Sequence, residues 1–130
     1  CVYCGEKFEK LQIEHLKMFN RTQAGIHHPG NTVPCCSSCN RRRRHANKEY
    51  MAWDDHLRQI CKELNQMDQY DVRRSRIVKH MTEGKYALPK LSDEEKKSIL
   101  VISNSLYSNI KMEMTKSLDL HKSLQKSFVD

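Results

Sequence analysis

With 130 residues, 23 Lys+Arg against 16 Asp+Glu and a formal charge of +7, the chain fits one domain, or a small module with one attached helical layer. No apolar run approaches the roughly 18 residues of a membrane span, and no secretory signal peptide is visible. The basic balance suits a polyanionic partner.

Cys1-Val2-Tyr3-Cys4-Gly5 reads as a tight turn, with Gly5 able to take the positive φ that such turns need. The chain opens on Cys1, already inside that turn, and so reads as a piece of a longer protein; a lipidated N-terminal cysteine is the rival reading. Residues 6–10 form a charged link. Leu11 and Ile13 then alternate with Gln12 and Glu14, the pattern of a short strand that ends on Glu14-His15. The stretch 17–30 is too long and polar for a hairpin turn and is expected to be a functional loop. Val33 continues a second short strand, and Pro34 fits only at its edge or end. Ser37 or Ser38 can cap a helix running through Asn40 into the arginines.

Beyond His45 the character changes. Tyr50, Trp53, Leu57, Ile60, Leu64 and Met67 recur at steps of three and four, which predicts an amphipathic helix from Lys48 to Tyr70. A second is expected from Val72 to Thr82, with Ile77, Val78 and Met81 apolar. Residues 84–89 break the pattern. Ser92-Asp93-Glu94-Glu95 has the form of a capping box and opens a long helix striped by Ile99, Ile102, Leu106 and Ile110. The pattern leaves its reach beyond Met114 open.

Of the six cysteines, four fall as two Cys-x-x-Cys pairs, the spacing at which thiolates reach one tetrahedral zinc. Cys1 and Cys4 supply one half of this knuckle, Cys36 and Cys39 the other. Cys36 is preferred to Cys35 because it gives the two-residue spacer to Cys39. Buried or redox-active thiols are the alternative. The leftover Cys35 and Cys61 would be unusual in a secreted disulfide scaffold, so a reducing, cytoplasmic setting is expected; Cys61 lies on the apolar stripe and reads as core. A motif-bearing part of about 45 residues is near the size at which a core alone is insufficient, which makes a structural zinc physically reasonable.

Taken together, Glu14-His15, Asn31 and Cys36-Ser37-Ser38-Cys39-Asn40, bracketed by Cys1 and Cys4, resemble the HNH endonuclease family. The resemblance is to the branch in which two Cys-x-x-Cys pairs enclose the nuclease motif, and it covers roughly the first third of the chain. It implies an α+β fold: a small zinc-stapled ββα-metal core over residues 1–47, then a mainly helical region over 48–130 packed on that core or on a missing upstream domain. The implied activity is metal-dependent endonucleolytic hydrolysis of DNA, double-stranded by expectation, leaving 3′-hydroxyl and 5′-phosphate ends.

Cleaving a phosphodiester requires a deprotonated water and a positive charge on the phosphate oxygens. A neutral imidazole can take the proton and a divalent ion can supply the charge. By the resemblance, His15 is the base, Glu14 and Asn40 hold the ion, and Asn31 orients the base through the backbone around it. The family often has Asp where Glu14 stands and His where Asn40 stands. Oxygen ligands favour magnesium or manganese.

Arg41, Arg42, Arg43 and Arg44 follow directly. A solvated helix face is the ordinary explanation of such a run, but four in a row point around most of a helix, so contacts to the DNA backbone are expected. His27 and His28 could meet a phosphate or a metal; two exposed loop histidines are as good a reading, and they stay outside the catalytic set. A non-catalytic zinc module that binds nucleic acid is the main rival function, and a structural adaptor the weaker one. The presence of Glu14, His15 and Asn40 together favours the enzyme.

Overall fold

The computed structural model describes residues 1–18, 20 and 23–128. Strands β1 (Gln12–His15) and β2 (Thr32–Cys35) pair antiparallel, with Glu14 opposite Val33 and His15 opposite Thr32. Helices α1 (Trp53–Glu63), α2 (Tyr70–Thr82) and α3 (Asp93–Ser127) follow, giving the small two-stranded sheet and helices of an α+β fold. The backbone divides into two units, residues 1–90 and 91–130. No helix among the described residues is long and apolar enough to cross a membrane.

Strand alternation decides what the hairpin buries. Glu14, Val33 and Cys35 turn inward, whereas Ile13 and Pro34, paired opposite each other, lie exposed on the outer face. Pro34 leaves the ladder intact, and its carbonyl accepts a bond from Val2 N at 3.0 Å, which docks the first cysteine turn onto β2. The two Cys-x-x-Cys turns close alike: Gly5 N donates to Cys1 O at 3.0 Å, and Asn40 N to Cys36 O at 2.9 Å. Gly5 sits at φ +78°, where a side chain would be strained.

The helix expected through Asn40 into the arginines is absent. Residues 37–40 form a turn, and Arg44 pairs with Tyr50 in an antiparallel bridge, flanked by Met51 N→Arg43 O at 2.9 Å and His45 N→Glu49 O at 2.8 Å. This second, miniature hairpin has a physical reason. Arg42 points into the core while Arg43 and Arg44 find partners elsewhere, and an extended backbone aims successive side chains apart in a way a helix does not. The helix predicted from Lys48 to Tyr70 is likewise shorter. It starts at Trp53 and stops at Glu63, because Asn65 takes φ +54° and Gln66 N folds back to Cys61 O at 2.7 Å. Leu64 and Met67, counted in the periodic stripe, are therefore exposed. A short 3-10 turn leads into α2, which spans Tyr70–Thr82 against an expectation of 72–82.

One core runs through the first unit. Tyr3, Leu16, Val33 and Cys35 from the hairpin region pack with Leu57, Ile60 and Cys61 of α1 and Tyr70 and Ile77 of α2. Arg73 of α2 donates to Tyr3 O at 2.9 Å and to Gln66 Oε1 at 2.8 Å, fastening the first knuckle to the helices. In the second unit, α3 opens on the capping box: Glu95 N donates to Ser92 Oγ and Ser92 N to Glu95 Oε2. It runs unbroken past Met114, and none of its side chains is buried. Because the core draws on both sides of residue 47, a 1–90 fragment loaded with zinc is expected to unfold cooperatively. A 1–47 fragment is expected to stay disordered by circular dichroism even with the metal.

Candidate functional site

The sulfur atoms of Cys1, Cys4, Cys36 and Cys39 all lie within 4.8 Å of one another, the one such metal-capable cluster of Cys, His, Asp or Glu among the described residues. Four thiols from two short chelating turns suit a tetrahedral ion, so the donor set fits. Cys36 is held below the usual thiol value: burial pushes it up, but backbone and thiol hydrogen bonds from Cys39, Cys4 and Ser38 outweigh this. Cys35 stands just outside, its sulfur 3.9 Å from that of Cys1, with its thiol pushed up to about 12 by burial and neighbouring negative charge.

His56 of α1 completes this end, and nothing in the sequence marks it beyond its place in an amphipathic helix. It is fully buried, accepts Arg43 N–H at Nδ1 (3.2 Å) and lies 2.8 Å from Cys39 O at Nε2. A backbone N–H at one nitrogen leaves the other as the donor, so the ring is neutral with its proton on Nε2. Burial lowers it to about 4, in keeping with that assignment. The edge of its ring meets Tyr3, centroids 4.9 Å apart.

Glu14 and His15 are neighbours whose side chains diverge. Glu14 is buried, hydrogen-bonded to the Arg42 guanidinium and, at 3.5 Å, to the Tyr3 hydroxyl. Burial raises its carboxyl above the usual value, against the pull of Arg42. His15 stays partly exposed at the end of β1, with Nε2 3.0 Å from Nδ1 of His27. Burial lowers the His15 imidazole below its ordinary value, and His27 adds to the effect.

Asn31 is fully buried beside this histidine. Its amide donates to Lys17 O (2.9 Å) and Ile26 O (2.8 Å), and its oxygen accepts Lys17 N at 2.8 Å. Leu16 N closes onto Asn31 O at 2.8 Å. Both ends of the long loop are thus tied to the residue after His15 and the one after that, with every polar atom of the Asn31 side chain engaged.

Asn40 leaves the second knuckle and donates to Gln12 Oε1 at 2.8 Å. Arg42, two residues on, reaches Glu14, two residues along from Gln12, so the segment after the knuckle is stitched to β1 at matching steps. This bears on a catalytic ion. The carboxylate and amide oxygens are the right donor types, but the negative charge of Glu14 is already taken by Arg42, and among the described residues no third carboxylate or imidazole joins it. As the side chains stand, Glu14 and Asn40 do not fit a divalent ion.

The four arginines separate completely. Arg42 is 8% exposed, with Nη2 donating to Glu14, to His15 O (2.9 Å) and to Leu16 O (3.4 Å), Nη1 to Met51 O (3.4 Å), and Nε buried without a partner among the described residues. Arg43 grips Glu63 of α1 through two nitrogens, at 3.3 and 2.8 Å. Arg44 lies over the Tyr50 ring, 3.7 Å from its centroid. Arg41 is exposed, and its guanidinium has no hydrogen-bond or ion-pair partner among the described residues. Arg42 therefore belongs to the interior, away from any surface phosphate. Replacing it with Gln would leave Glu14 buried and unpaired, and should lower the free energy of unfolding by about 3–5 kcal/mol in urea titration. Arg41→Gln should leave it unchanged.

Residues 1–46 match the family model described as HNH endonuclease. No curated protein and no solved structure matches the chain.

Proposed function

We propose that residues 1–46, held by α1 and α2, act as an HNH-type endonuclease that hydrolyses phosphodiester bonds of double-stranded DNA. The observation that carries this reading is His15: within the matching segment, a partly exposed imidazole stands at the end of a strand whose flanking backbone is fixed by Asn31. Its lowered basicity keeps it neutral at neutral pH, ready to accept the proton of the attacking water. Asn31 acts on the backbone that carries the base. Arg41, whose guanidinium has no hydrogen-bond or ion-pair partner among the described residues, is the arginine best placed to meet a phosphate, and Lys48 and the Arg44–Tyr50 stack lie on the miniature hairpin that follows it.

Zinc in the four-thiol site is the structural ion of this reading, joining the chain ends of a core too small to stand alone. The family likeness implies magnesium or manganese for the activity, while the side chains of Glu14 and Asn40 as they stand offer such an ion no site. The commitment of Glu14 to Arg42 is the specific observation that favours the rival, a zinc module that binds nucleic acid without cutting it.

His15→Ala separates the two. It should cut plasmid cleavage by about 10²–10⁴-fold while zinc content, melting temperature and DNA affinity hold. Parental cleavage by the folded variant, with contaminating nuclease excluded, would defeat the role given to His15. A parental protein that binds DNA yet cuts none across a magnesium and manganese series would establish the rival. In the same binding assay Arg41→Gln should reduce the salt slope by about one, the signature of one lost phosphate contact.

A further inference from the structure

His27 lies outside the motif residues, yet the backbone of residues 25–31 around it is held at several points. A Cβ on Gly25 would come 1.9 Å from Lys17 O, and one on Gly30 2.4 Å from Tyr86 O, so the loop is pressed against backbone near both of its ends. Asn31 binds the carbonyl of Ile26, the residue before His27. His28 accepts Gly30 N at 3.1 Å, and His80 of α2 lies 3.0 Å from the carbonyls of both Pro29 and Thr32. His27 itself is exposed, so what these contacts fix is the backbone that carries its ring.

What the loop delivers is a ring nitrogen. Nδ1 of His27 stands 3.0 Å from Nε2 of His15, with centroids 5.2 Å apart and planes inclined at 53°. That tilt and separation are poor for stacking and good for a hydrogen bond in the ring plane. Between two neutral imidazoles the bond requires one of these nitrogens to carry a proton and the other to offer its lone pair, which couples the tautomers of the two rings.

We infer that His27 is a positioning residue for His15, holding its imidazole in one orientation and one tautomer. The inference rests on the reading of His15 as general base. A base must present a lone pair from a particular ring nitrogen, and the hydrogen bond at its other nitrogen decides whether it does. His27 fills with an imidazole the place that a carboxylate or backbone carbonyl fills beside many working histidines, where loss of such a partner typically costs about 10–100-fold.

The test reads the tautomer directly. In the zinc-loaded full chain labelled with ¹⁵N, long-range ring correlations at mildly alkaline pH should show one tautomer at His15 and the same one at His27, both rings protonated on Nε2 or both on Nδ1. His27→Ala should convert His15 to a mixture of tautomers. His27→Asn, whose amide can reach the place of Nδ1, should restore the single form. In cleavage, His27→Ala should lower kcat by about 10–100-fold at unchanged KM, with part recovered in His27→Asn. A single His15 tautomer that persists in folded His27→Ala would overturn the inference, as would cobalt titration showing both rings ligating one ion. If the parental protein cuts no DNA, the hydrolytic reading falls, and the ring spectra still decide whether His27 sets the state of His15.

Discussion

One guanidinium, that of Arg42, holds the hairpin end of the first unit together. It neutralises the Glu14 carboxylate inside the protein and gathers the carbonyls of His15, Leu16 and Met51 around it. Two strands of four residues each cannot hold a fixed geometry in water by themselves. Arg42 closes the hairpin from one side while the four thiols close it from the other. Its isolated Nε shows how fully the buried charge depends on the few partners it has.

The candidate site inherits its order from this clamp. β1 ends where Arg42 grips the His15 carbonyl, so the backbone beneath the imidazole is fixed from the interior. Asn31 fixes the same backbone from the loop side, and His80 brings α2 to bear on that loop. The helices beyond residue 46 therefore act on the hairpin without contributing a motif residue. His56 does the same for the second knuckle, joining the carbonyl of Cys39 to the amide of Arg43.

Much of the fold was legible in the sequence because it rests on local rules. Alternation marked β1, the cysteine spacing marked two chelating turns that meet in space, and Ser92 with Glu95 marked the start of α3. What could not be read depends on partners far along the chain. Ser37, Ser38 and four arginines look like the start of a helix, but Glu14 lies 28 positions from Arg42 and pulls the segment straight. The stripe through Leu64 and Met67 continued on paper, while a left-handed Asn65 ended the helix. At the site, a run of arginines cannot announce that its members will be sorted into core, ion pair, aromatic stack and open surface. Nor does His27 differ in sequence from any loop histidine; only the closed loop brings it to His15.

Helix α3 carries a different consequence. It holds Leu100, Ile102, Leu106, Ile110 and Leu118 well exposed, and the ion pairs Asp93–Lys96 and Glu113–Lys116 along it each join residues three apart. Such pairs contribute about 0.2–0.5 kcal/mol each, so its order derives from a good cap and intrinsic propensity rather than from burial. Its melting is then a gradual, non-cooperative loss that frays from the ends, while the first unit melts as one. The two would part in a calorimeter: a sharp heat-absorption peak from residues 1–90 riding on a broad slope from residues 91–130.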